Sequence, residues 1–249
     1  MAEPLVNFNL KWYVISIMKE RLNKIIAKSG CCSRRKADEL IAAGKVKING
    51  TVVSSLGTLA DKDKDIISIS GKRLSAEEKV YILLHKPTGW ITTTKDRFAE
   101  KTVLDLLPKM PQRLYPVGRL DKDTSGLLIL TNDGALTQKL THPSFEVKRI
   151  YQVTVKGFLG GDNIAKIEKG GLKIEDYKTS PCRIKILNRT RQNTKLLFTI
   201  CEGRKREIRK IFEAVKNPVI ELKRIQFGKL KLGGLACGKW EKIDKKDIL

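Results

Sequence analysis

The sequence predicts an α+β protein of two modules: a small N-terminal helix-helix-hairpin unit, joined to a larger domain built on a largely antiparallel mixed sheet. Three observations carry this. Between Arg21 and Gly71, apolar residues recur at helical spacing and then give way to an Asn-Gly turn flanked by β-branched residues. Residues 72–79 are polar and charged without periodicity, which is linker composition. From residue 80 to 249, short alternating stretches outnumber helical ones, the pattern of an α+β domain.

Residues 1–17 lack the basic start and small-residue cleavage site of a signal peptide, so they read as a disordered extension or an over-called start codon, with no assigned function. The folded module is expected to span 18–71. Leu22, Ile25 and Ile26 share a helical face that Gly30 terminates. Ser33 is placed to cap a second helix carrying Ala37, Leu40 and Ile41 and stopping at Gly44. Val46-Lys47-Ile48 then alternates into Asn49-Gly50, the strongest short hairpin signal, before Val52-Val53, and Ile66 to Ile69 supply another strand. In the larger domain, Tyr81 to Leu84 reads as a strand ended by His85-Lys86-Pro87-Thr88-Gly89. Thr102 can cap a helix through Val103, Leu104 and Leu107 to Pro108, and Asp133 one through Leu136 and Leu140 to His142-Pro143. Leu127 to Leu130 is an apolar run suited to a buried strand, Tyr151 to Val155 alternates, and further strands are expected at 183–187, 195–200 and 219–227.

Lys and Arg number 50 against 27 acids, a formal net charge of +23. Charge of one sign on this scale repels itself in a compact monomer but suits a polyanion, so nucleic acid is the expected partner. Arg34, Arg35 and Lys36 stand at the start of the second helix, where positive charge opposes the helix dipole. Phosphates docking at that end would account for the cost, because backbone N–H groups and basic side chains then point the same way. Lys24, Lys28, Lys45 and Lys47 extend the patch. The five cysteines show no C-x-x-C spacing and the two histidines are far apart, so free thiols in a reducing cytoplasm are expected and no metal. No apolar run approaches the roughly 20 residues that span a membrane. Neither G-x-G-x-x-G nor a P-loop is present, and no cofactor is expected.

The most informative string is Gly118-Arg119-Leu120-Asp121-Lys122-Asp123-Thr124-Ser125-Gly126-Leu127-Leu128. It sets Asp121 in a tight polar turn that opens into the apolar run. A turn held against a core strand can aim a side chain, whereas a mobile loop cannot. A single Asp in a turn is commonly a surface acid, but the whole string resembles the signature of pseudouridine synthases, specifically the RsuA/RluB group of ribosomal RNA modifiers. The resemblance runs from about Arg21 to about Trp240. The first module looks like the small RNA-binding domain named after a small-subunit ribosomal protein, and the second like the catalytic domain of that group.

What the resemblance implies is residue-specific. Asp121 matches the nucleophile, which must be ionised and therefore needs a neighbouring cation. Glu202-Gly203-Arg204-Lys205-Arg206-Glu207-Ile208-Arg209-Lys210-Ile211 is similar to the third motif, in which Arg209 would hold Asp121 bidentately and Ile208 would pack near the base. Arg204, Lys205, Arg206 and Lys210 read as phosphate contacts. Tyr151, in Lys148-Arg149-Ile150-Tyr151-Gln152-Val153, matches the second motif and would offer a stacking face and a phenol for proton transfer. Arg119 would contact phosphate or fill the space left by a flipped nucleotide. His85 stands where the first motif has Asn. The expected activity is conversion of uridine to pseudouridine in ribosomal RNA by a monomer, acting on the RNA or a ribosome assembly intermediate. The large-subunit RNA is favoured by Arg34-Arg35-Lys36 and the segment 102–108. Small-subunit RNA and a non-catalytic RNA-binding or assembly protein are the alternatives. Joint retention of Asp121, Tyr151 and Arg209 in their motif contexts favours the enzyme.

Overall fold

The computed structural model describes residues 19–94 and 101–248, so the expectation for 1–17 falls outside the described residues. The chain forms two units, one of residues 19–79 with Pro111–Arg113, the other of the remaining described residues from Val80 onward.

In the first unit, β1 (Lys19–Arg21) leads into α1 (Leu22–Lys28), which Ser29 and Gly30 close, Gly30 at φ +79°. Ser33 caps α2 (Arg34–Ala42), its hydroxyl accepting the Lys36 N–H at 3.1 Å. The hairpin from β2 (Val46–Ile48) to β3 (Thr51–Val53) turns at Asn49 and Gly50, both at positive φ as a type I′ turn requires. β4 (Leu59–Asp61) pairs with β1, while β5 (Ile67–Ile69) joins the free side of β2 and carries β6 (Lys72–Arg73) beyond it. The sheet therefore extends two residues into the stretch read from sequence as linker. Leu22, Ile26, Ala37, Ile41, Val46 and Ile67 fill the core between helices and sheet.

The second unit begins with β7 (Tyr81–Lys86), β8 (Tyr115–Pro116) and β9 (Ser125–Thr131), then α3 (Gly134–Thr141) and β10 (Arg149–Lys156). Next come α4 (Gly161–Lys169), the short pair β11 (Lys173–Ile174) and β12 (Tyr177–Lys178), and the long strands β13 (Arg183–Arg189) and β14 (Asn193–Ile200). It closes with α5 (Glu207–Ala214), β15 (Val219–Phe227), β16 (Leu230–Lys231), β17 (Trp240–Lys242) and α6 (Lys245–Ile248). The main sheet runs β13-β14-β10-β15-β9-β7-β17, with β16 on β15 and β8 on β9. Its pairings are antiparallel except β9 against β15. This is the predicted largely antiparallel mixed sheet.

The uninterrupted apolar run in β9 has a simple cause. Leu128 and Leu130 point into one core with Ile82, Leu84, Val153, Phe198 and the α5 residues Ile208, Ile211 and Phe212. Leu127 and Ile129 point into a second core with Leu83, Phe227 and the helix residues Leu136, Leu140 and Ile248. A strand covered on both faces needs no polar alternation. Each such side chain, fully buried, contributes about 1.5–3 kcal/mol.

Two expectations change. The helix predicted from Thr102 to Pro108 is a single 3-10 turn over Val103–Leu106, its start closed by Asp105, which accepts the Thr102 N–H at 2.7 Å. The helix α4, bounded by Gly160 and Gly170, has no counterpart in the sequence-based expectation.

At the entry to β9 the chain passes unusually near another backbone. Gly126 lies at φ +109°, paired in parallel register with Arg224 of β15. A Cβ there would overlap the Arg224 backbone, which cannot swing aside as a side-chain tip would. Gly126→Ala is expected to cost about 2–4 kcal/mol of unfolding free energy, read as a lower denaturant midpoint. An unchanged midpoint would mean that β9 and β15 can separate freely.

Candidate active site

The site starts from the turn Leu120–Thr124, whose backbone carbonyls are all bonded. Thr92 Oγ1 donates to Leu120 O at 2.7 Å and accepts its N–H at 3.3 Å. Asp121 O accepts the Thr124 N–H at 3.0 Å, closing the turn, and Lys122 O accepts the Gly89 N–H at 2.7 Å. Lys86, fully buried at the end of β7, puts its ammonium among Asp121 O at 3.0 Å, Thr124 O at 2.8 Å, Lys122 O at 3.4 Å and Pro87 O at 3.0 Å. Arg209 Nη2 donates to Asp123 O at 2.9 Å. The Asp121 carboxylate, by contrast, makes no hydrogen bond or ion pair among the described residues. The sequence aims one charged group and ties down everything around it.

That carboxylate lines a cleft of about 540 Å³. Tyr151, Ile200, Ile208 and Leu222 form its apolar floor, and Arg119, Arg204, Lys205 and Arg206 stand exposed along its rim. Tyr151 comes from β10, whose alternation sends Tyr151, Val153 and Val155 inward. The Thr124 hydroxyl is buried at the cleft and finds no partner among the described residues. A planar base fits such a surface: apolar faces for its rings, a polar handle at the edge, cations for the phosphates.

Asp121, Tyr151, Arg119, Ile208, Arg204, Lys205 and Arg206 are thus brought together as the sequence expects. Arg209 is not placed as expected. Its guanidinium pairs with Asp123 rather than Asp121, Nε lying 3.1 Å from Asp123 Oδ2 off the line of a hydrogen bond. Arg206, held at φ +54° just before α5, grips the same carboxylate with both Nη atoms at 3.1 and 3.2 Å. The turn separates the two acids: Asp121 faces the cleft, Asp123 the start of α5. Burial opposes ionisation of Asp123, but the hydrogen bonds of Arg206 and the charges of Arg209 and Arg206 hold its pKa below the usual carboxylate range. Burial lowers the Arg209 guanidinium, Asp123 opposes that, and the more distant Asp121 contributes in the same sense. Arg209 therefore stays within electrostatic reach of Asp121 without touching it. Lys210 points elsewhere, to Glu175 at 2.7 Å.

In the first unit, Arg34, Arg35, Lys36, Lys45 and Lys47 are exposed. Lys36 pairs with Glu39 at 2.7 Å, and Lys24 of α1 approaches Glu20 of β1 at 3.7 Å.

Sequence reasoning missed Lys86, Thr92 and the acids Glu202 and Glu207. The signal for Lys86 was available: a lysine inside an apolar strand, directly before a proline, has no solvent side to reach. Burial pulls its pKa down to about 8, against the opposing fields of Asp121 and Asp123. His85, the departure from the first motif, turns away from the cleft and bonds Leu235 O through Nδ1 at 2.7 Å. Among the described residues no helix is long and apolar enough to cross a membrane.

Comparison with known proteins gives the family. The family described as RNA pseudouridylate synthase matches residues 80–214, and the S4 domain family matches residues 20–67. The chain is 44% identical over 231 residues to the ribosomal large subunit pseudouridine synthase B of Bacillus subtilis (strain 168), covering 92% of this chain and 94% of that protein. It is 38% identical over 233 residues to an uncharacterized RNA pseudouridine synthase of Aquifex aeolicus (strain VF5), covering 93% of each. A crystal structure of a pseudouridylate synthase superposes with a TM-score of 0.66 at 30% identity, covering 92% of this chain and 97% of that one. With a matching catalytic domain, a matching S4 domain and relatives aligned along nearly their whole length, the chain belongs to the RNA pseudouridylate synthase family, enzymes that isomerise uridine in RNA.

Proposed function

We propose that this enzyme converts a uridine of large-subunit ribosomal RNA to pseudouridine, with Asp121 as nucleophile and the target base turned out of its stack into the cleft. The observation that carries the reading is the contrast at the turn: an unpartnered carboxylate on a backbone whose every carbonyl from 120 to 124 is bonded. Such a group is fixed in position and free to react.

The reaction breaks the bond from the sugar C1′ to uracil N1 and forms one from C1′ to C5. A proton leaves C5 and one is taken up at N1, so atoms balance without an external group and no cofactor is required. Asp121 attacks either the sugar carbon or the base. Its charge acts on Lys86, Arg206 and Arg209, so three cations stand within electrostatic reach of the proposed nucleophile. Tyr151 offers its ring as a stacking face and its hydroxyl, without a hydrogen bond among the described residues, as a proton carrier. Ile208 and Leu222 exclude water, and Arg119, Arg204, Lys205 and Arg206 contact phosphates. Arg209 acts as a positioning residue through Asp123. The large-subunit target rests on the 44% identical relative and its printed name. A monomer acting in the cytoplasm, on free RNA or an assembly intermediate, completes the reading.

Chemical marking of pseudouridine in total RNA, from cells with and without the protein, tests the substrate. Loss of one mark in large-subunit RNA is expected. A lost mark in small-subunit RNA instead would move the target, and no lost mark in any RNA would overturn the proposal.

The exposed cations of the first unit lead to a separate expectation. Replacing Arg34 and Arg35 together by Ala should weaken RNA binding and flatten the plot of log affinity against log salt by roughly 0.7–0.9 for each phosphate that is no longer neutralised. A slope equal to wild type would leave these arginines outside the RNA interface.

A further inference from the structure

Two carboxyl groups that the reaction does not use stand in the wall of the cleft. Glu207 opens α5 at only 3% exposure. Its Oε2 accepts the Arg204 N–H at 2.9 Å, and its own N–H reaches back to Arg204 O at 3.2 Å. Its Oε1 is enclosed and meets no donor among the described residues. Glu202 lies in hydrogen-bonding contact with it. Both acids are bonded to Arg204, and a second anion there is opposed by the first, whereas a proton on Glu207 would satisfy its enclosed oxygen.

The surroundings decide which acid carries the proton. Glu202 accepts the Ser180 N–H at 2.8 Å and the Arg204 Nε–H at 3.3 Å, donors that favour its anion. Burial resists that ionisation, yet these bonds hold its pKa below the usual range. Burial pushes Glu207 the other way, up to about 7, opposed by the Arg204 N–H and reinforced by Glu202. Other facing groups leave this order intact. The Arg204 guanidinium sits 4.3 Å above the Tyr177 ring. The Tyr177 phenol and the Cys182 thiol are pushed up mainly by burial, and neither supplies a charge near neutrality. Arg149, lowered by its own burial, spends its donors on backbone carbonyls, including Cys201 O at 2.5 Å.

We propose that Glu202 and Glu207 share a proton that positions the basic rim of the cleft, and that losing it releases the segment Gly203–Arg206. With the proton in place, Glu207 also joins Glu202, which accepts from the Arg204 guanidinium, to the first turn of α5, so Arg204, Lys205 and Arg206 are held beside Ile208. Without it, two touching anions repel, and one more negative charge faces the incoming RNA. The sign follows from the raised pKa: the folded chain keeps a proton that the unfolded chain gives up at the ordinary Glu value. The clamp is therefore present at acid pH and is lost as pH rises through the folded value. This rests on the cleft being the RNA site, but the tests below include readouts that need no reaction.

In the wild-type enzyme, amide exchange at 203–206, corrected for its intrinsic pH dependence, should speed up about 10-fold from about pH 6 to about pH 7.5, and kcat/KM on RNA should fall over the same interval. In Glu207→Gln the amide donates permanently to Glu202 and still accepts from Arg204, so both pH steps should vanish. No step in the wild type, or an equal step in the variant, overturns the proposal. Where the variant does not fold, the ¹³C shift of the wild-type Glu207 carboxyl decides: a midpoint near 7 supports the shared proton and one near 4.5 rejects it. Failure of the catalytic reading would remove turnover without moving the exchange or carboxyl midpoints, so the two failures are distinct.

Discussion

Asp121→Asn is expected to bring pseudouridine formation to background, a loss on the order of 10⁴-fold or more, while RNA affinity stays within a few-fold. Asn has the same shape and keeps the turn, because the bonds that hold it come from backbone carbonyls and from Thr92, Lys86, Gly89 and Arg209, not from the Asp121 side chain. What disappears is the anion proposed as nucleophile. Release of label from RNA carrying tritium at uridine C5 measures the step directly, since that hydrogen must leave for the new bond to persist. Turnover within about tenfold of wild type would remove Asp121 from the chemistry.

The second large effect is expected at Lys86→Met. Met fills a similar volume, but the carbonyls of Pro87 and Thr124 lose the only donors they have among the described residues, and those of Asp121 and Lys122 lose one each. A shift of the turn by about 1 Å is enough to lower kcat about 100-fold, while binding through the exposed cations of the rim changes far less. Stability should respond far less, changing by under about 3 kcal/mol, because removing a buried ammonium also removes its desolvation cost. Parallel kcat and denaturant measurements separate the two quantities. A variant that unfolds in proportion to its lost activity would make Lys86 a fold residue and not a positioning one.

The parts of this protein that were legible in its sequence are those set by contiguous residues. The Ser33 cap, the Asn49-Gly50 hairpin and the Asp133 cap each act within three or four positions, and each forms. The Asp121 turn was legible for the same reason, since its two glycines and its apolar exit are adjacent. The partner of Arg209 was not, because Asp121 and Asp123 differ by two positions and only the direction of the folded turn distinguishes them. Lys86 and Glu207 were missed because charged residues read as surface until the fold encloses them. The 3-10 turn at Val103–Leu106 shows a correct capping signal attached to too few residues for a longer helix.

The parallel contact between β9 and β15 has a consequence for the ribosome that makes this protein. Arg224 Nε holds Leu127 O across 97 positions of chain, and Arg209, which fastens the turn through Asp123, also lies far downstream. A nascent polypeptide that has emerged only as far as the signature string lacks the partners that fasten the Asp121 turn. That turn therefore sets late in translation, after the C-terminal third has been threaded into the middle of the sheet.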